Sequence, residues 1–225
     1  MPSNQNKNKK MSSLEVLGVF IAFLVTTICG IFLYYRFVSI DSIMSGFGIL
    51  FVAFCFTVAS SFAVKASVLS GDRKINLNEV GDIFLTSFIS VFIIVGSTIL
   101  SSRTMPIIGR AFENTIGYWW IKGHLSKITK TIFTNPNDTN YDYNLIITQV
   151  FDDSDETQFD KNLVEQASKF KDVSVNTGDK DNMDELYKLV KKKHSISEAT
   201  LVSLATIVAL YTCFLPINYP WVRGS

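Results

Sequence analysis

The sequence predicts an α-helical membrane protein with about four transmembrane helices and a small α/β water-facing domain between the third and fourth. Three observations predict it. Hydrophobic residues make up 48% of the 225 positions and charged residues only 18%. The charges are almost absent from four long runs and crowded into the remainder, as in proteins that cross a bilayer. The one long polar interval, between the third and fourth runs, carries strand-type and helix-type apolar patterns in succession.

Taken in order, residues 1–13 form a polar tail rich in Asn, Ser and Lys, read as disordered. Residues 14–102 contain three apolar runs. The first has 20 uncharged residues between Glu15 and Arg36. At 1.5 Å per residue it covers the ~30 Å hydrocarbon core, and it exceeds the length of a secretory leader's apolar segment. The second lies between Asp41 and Lys65 and the third between Asp82 and Arg103, each uncharged for at least 20 residues. Residues 196–225 contain the fourth, between Glu198 and Arg223, closing on Pro216, Tyr219, Pro220 and Trp221, which suit a membrane interface. Lysine and arginine on the two sides nearly balance, so orientation stays open. Small residues recur within the runs, as in Ala59-Ser60-Ser61 and Gly96-Ser97-Thr98, and allow close helix packing and self-association. Lys65 sits near a run's end, where a lysine snorkels to the surface. Cys29, Cys55 and Cys213 lie inside apolar runs without CxxC spacing, so they indicate neither a metal site nor a thiol nucleophile.

Residues 125–195 form the predicted α/β domain. Tyr143 to Phe151 reads YNLIITQVF, an apolar, β-branched stretch expected as a strand. Phe159, Leu163, Ala167 and Phe170 predict an amphipathic helix, Val173-Ser174-Val175 a second strand, and Thr177-Gly178-Asp179 a turn. Met183, Leu186, Tyr187 and Val190 predict a second helix. The acidic run Asp152 to Glu156 is read as a solvated loop, and Asn137-Asp138-Thr139 as a glycosylation sequon.

Residues 103–124, RTMPIIGRAFENTIGYWWIKGH, form an interfacial collar rather than a fifth span, because Arg110, Glu113 and Asn114 would fall near its centre. Pro106 suits a first helical turn, Arg110 and Glu113 pair at i and i+3, and Tyr118, Trp119 and Trp120 match the headgroup zone. The collar is a candidate docking surface for a protein partner through Arg110, Glu113 and Asn114, with Gly109 and Gly117 permitting close backbone contact. Its alternative reading is a plain membrane-interface anchor.

The stretch PIIGRAFENTIGYWW resembles a motif in membrane proteins of nucleocytoplasmic large DNA viruses. The resemblance covers 15 to 20 of 225 residues. It implies a structural protein of the virion's internal membrane that contacts capsid or minor capsid proteins, and it carries over Pro106, Gly109, Arg110, Glu113, Asn114 and Gly117 only.

No GxSxG, HExxH, P-loop or dinucleotide fingerprint occurs, and His124 and His194 lack sequence-adjacent partners. The expectation is therefore a non-enzymatic protein without cofactor or metal. A formal net charge of +1 offers no overall attraction for nucleic acid. A channel or transporter subunit is the alternative, requiring a polar path between the spans. A membrane-bound enzyme ranks third.

Overall fold

The structure, a computed structural model, describes residues 21, 24–25, 27–32, 43–68, 77–135, 143–150 and 156–218. Most of the first apolar run, the sequon at Asn137, the acidic residues 152–155 and the closing residues 219–221 lie outside the described residues. Among the described residues the protein is mostly helical, and three helices are long and apolar enough to cross a membrane. The chain divides into two compact units, the first comprising Met1–Ser101 and Val202–Ser225 and the second Ser102–Leu201.

In the first unit, helix α1 (Ile43–Val68) and helix α2 (Leu77–Thr104) form a hairpin. Phe54 meets Phe84 and Phe88 edge-on at 6.0 Å, an arrangement that aligns ring edges with ring faces. Lys65 Nζ lies 3.3 Å from Glu79 Oε1 across the hairpin. The lysine expected at a span's end therefore has an acidic neighbour near the start of the next helix. One π-helical turn, Val91–Val95, interrupts α2. Of the two small-residue stretches, Ser60 and Ser61 are buried between helices, whereas Gly96-Ser97-Thr98 stays at least partly exposed. The hydroxyls of Thr57 and Ser60 bond to carbonyls one turn back in their own helix.

The second unit has its own core. Ile121, Leu125, Ile128 and Ile132 project inward from helix α4 (Tyr118–Ile132), which follows the single-turn helix α3 (Pro106–Gly109). Phe159, Leu163 and Ala167 come from helix α6 (Glu156–Ser168), and Met183, Leu186 and Val190 from helix α7 (Lys180–Asn218). These last two stripes are the predicted ones. Asp179, in the predicted turn, accepts a hydrogen bond from the Asn182 backbone N–H and starts α7.

Two expectations are corrected. The stretch after Tyr143 is helix α5 (Asn144–Gln149), not a strand. Its buried residues Tyr143, Ile146, Ile147 and Val150 are spaced three, one and three apart, which is helical periodicity, while Leu145 points outward. Among its described residues the domain is consequently helical, with one small antiparallel pairing between β1 (Phe133–Thr134) and β2 (Ser174–Val175). Nor does the collar stop at residue 124, since α4 runs through that boundary into the core and joins collar and domain into one unit. Helix α7 likewise continues without a break into the fourth apolar run. Its charges end at Glu198, and the uncharged residues 199–218 extend ~30 Å.

Candidate functional site

The stripe on α4 extends back through Gly117 to Glu113, which opens a π-helical turn (Glu113–Gly117) leading into the helix. On α7, the buried positions Met183, Leu186 and Val190 extend forward to Lys193 and Ser197 with alternating steps of three and four. Each helix thus carries an ionisable residue on an otherwise apolar face, and packing those faces together buries both. Glu113 and Lys193 have no exposed side-chain surface, and Glu113 Oε2 lies 3.6 Å from Lys193 Nζ.

Lys193 has two further partners. Its ammonium donates to the carbonyls of Ile147 at 3.1 Å and Val150 at 2.9 Å, which lie at the C-terminal end of α5. Carbonyls there have no partner within their own helix, and a cation near them is favoured by the helix dipole. One lysine therefore ties α5, α7 and the collar together. Burial pushes its ammonium down from 10.5 to about 8, with Glu113 opposing the fall and Arg110 adding to it.

Glu113 Oε1 is engaged by His194 Nδ1 at 2.5 Å, with the ring nitrogen donating to the carboxylate. The other ring nitrogen faces Glu198 Oε1 at 3.7 Å. Burial raises the Glu198 carboxyl above its ordinary range, against the pull of His194, Arg103 and a hydrogen bond involving Ser102. Ser197 completes the set. Its hydroxyl donates to Gly109 O at 2.7 Å and accepts from Phe112 N–H at 2.9 Å, satisfying the backbone where the collar breaks between α3 and the π turn.

Gly117 explains how the two helices come so close. A Cβ placed there would lie 2.5 Å from Lys193 O, a backbone atom that cannot swing aside. At Gly109 a Cβ would sit 3.1 Å from Ser102 O, tight but less severe.

The nine collar residues therefore divide. Gly109, Glu113 and Gly117 are buried, Arg110 and Tyr118 are half-buried, and Pro106, Asn114, Trp119 and Trp120 are exposed. Glu113 is corrected from a surface contact to an internal one, because its carboxylate is held by residues some eighty positions away. Lys193, His194, Ser197 and Glu198 belong to the site and were not expected there. The signal that identifies Lys193 and Ser197 is the continuation of the α7 stripe.

Chemically, the cluster turns Lys193, His194 and Ser197 toward Glu113 and backbone carbonyls, which is the pattern of a clamp, while Glu113 Oε2 meets Lys193 at ion-pair distance and makes no hydrogen bond. No group of three His, Cys, Asp or Glu placed to hold a metal ion occurs among the described residues. No protein-family model matches the chain, and neither curated proteins nor solved structures give a match.

Proposed function

We propose that the protein is a multi-pass structural membrane protein with four spans, which displays the second unit at the bilayer surface as a rigid platform for protein contacts. The observation that carries this is the outward face of the α1–α2 hairpin. Phe47, Phe51, Leu85, Ile93 and Leu100 are each more than half exposed, while the charges of both helices, Lys65, Glu79, Asp82 and Arg103, sit toward their ends. In water each such side chain forgoes ~1.5–3 kcal/mol of burial, whereas lipid is an apolar solvent for it. The uncharged residues 199–218 of α7 supply a third span and the first apolar run a fourth.

The resemblance of residues 106–120 to large-DNA-virus membrane proteins supports placing the protein in a virion's internal membrane, with capsid or minor capsid proteins as partners. A platform with a fixed internal shape suits such a tether, and the Glu113–Lys193 clamp fixes the collar against α7 within the second unit. Within the collar, Trp119 and Trp120 serve as interface anchors, and partner contacts fall to the remaining surface of the second unit.

The test is cross-linking in the native membrane from photoreactive residues placed at exposed Asn114 and Lys188. Links to coat proteins support the tether. Links only to further copies of the chain, together with ion flux after reconstitution, would replace it with the channel-subunit reading.

A further inference from the structure

The outward face of α4 differs in kind from the rest of the second unit. Its inward face, Ile121, Leu125, Ile128 and Ile132, is fully committed to the core. This helix therefore cannot lie on a bilayer by its apolar side, as a free amphipathic helix does. At 100° per residue, Trp119, Trp120, Lys127 and Lys130 point away from that core on one common face, and all four are exposed. The indole rings are 63% and 51% exposed and stack edge to face with each other. Gly123 lies between the aromatic and basic pairs, and a Cβ there would meet nothing within 4 Å, so no side chain interrupts the surface.

Charge along this stretch has one sign. From Asn114 to Asn135 there is no acidic residue, while Lys122, Lys127, Lys130 and His124 are all exposed. Among the described residues, acidic side chains gather elsewhere in the unit: Asp160 and Glu165 on α6, Asp172 and Asp179 in the connection after it, and Asp181, Asp184 and Glu185 on α7.

We propose that the outward face of α4 is a binding surface for an anionic phospholipid bilayer: Trp119 and Trp120 sit at the headgroup–acyl boundary and Lys127 and Lys130 engage lipid phosphates. The proposal rests on the membrane reading above and adds a lipid class to it. Aromatic insertion alone is indifferent to lipid charge. The two lysines make it charge-dependent and sensitive to salt.

The experiment uses the full chain carrying Trp221→Phe, so that Trp119 and Trp120 are its only tryptophans. It is placed in nanodiscs of brominated phosphatidylcholine, with or without phosphatidylglycerol. Lipid quenching and a blue-shifted emission are expected in both, stronger in the anionic discs. The difference between them is expected to vanish with Lys127→Gln/Lys130→Gln or at high salt. Both lysines are exposed, so the variant keeps the fold. Equal quenching in neutral and anionic discs, unchanged by the double variant, would overturn the phosphate assignment while leaving an aromatic anchor. Incorporation into discs with quenching by aqueous iodide but not by lipid would overturn the surface altogether while leaving the spans intact. Failure to incorporate at all would instead remove the membrane reading on which the proposal rests.

Discussion

The two units distribute apolar and polar side chains differently on the same secondary structure. In the first, apolar side chains such as Phe51 and Ile93 face outward, and small or hydroxylated residues such as Ser60, Ser61 and Ala209 are buried. In the second, apolar residues are gathered inward from α4, α5, α6 and α7, and charged residues lie mostly outside, with Glu113, Lys193 and Glu198 enclosed. The units also differ in what their buried polar groups require. Ser60 loses nothing inside because its hydroxyl bonds to Phe56 O one turn back. Glu113 and Lys193 cannot satisfy themselves within their own turn, so their burial demands a partner from elsewhere in the chain.

The comparison is broken most sharply at that pair. Glu113→Ala leaves the Lys193 ammonium buried without its counter-ion, a loss of ~3–5 kcal/mol. Hydrogen exchange should speed up across α4 and α5 while α1 and α2 in the first unit stay protected. Replacing both partners, as Glu113→Leu with Lys193→Met, should recover much of the loss, since an apolar pair needs no compensation.

Next in size is the pH response of Lys193. The folded unit releases this proton near pH 8, whereas the unfolded chain keeps it to about 10.5. The unfolded state then holds more protons, so stability rises with pH across that window, by up to about 3 kcal/mol. Thermal unfolding of the second unit from pH 8 to 10.5 should show this rise relative to Lys193→Met, which lacks the titrating group.

Two glycines of the same unit sharpen the point about contact. Gly117→Ala sets a methyl against Lys193 O and should cost ~1–3 kcal/mol despite alanine's better helix propensity. Gly123→Ala, with open space around it, should stabilise α4 by up to about 1 kcal/mol. Chemical denaturation of both variants separates the two cases. The smallest effect belongs to the first unit: Lys65 and Glu79 keep some exposure, and Lys65→Met should change stability by less than ~1 kcal/mol in the same assay.

The apolar helices were legible because their signal, 20 or more residues without a charge, needs no partner to interpret. The stripes at 159, 163, 167 and at 183, 186, 190 were legible for a similar reason, being periodic over several turns. YNLIITQVF misled because its β-branched residues favour a strand and it is too short to fix a period, and packing of Ile146 and Ile147 decided for helix. At Glu113 the nearby Arg110 offered a local pair at i and i+3. Lys193 and His194 also engage it from α7, and only the coincidence of two apolar stripes, each bearing one ionisable residue, points to them.

The claim that the first unit's exposed face lies in lipid is tested most directly at Cys55, which is exposed on α1. With Cys29 and Cys213 replaced by serine, intact and permeabilised membranes are treated with a charged maleimide and, separately, with a pyrene maleimide that partitions into bilayers. The expected result is labelling by the pyrene reagent alone. Labelling of Cys55 by the charged reagent would put that face in water and contradict the membrane reading.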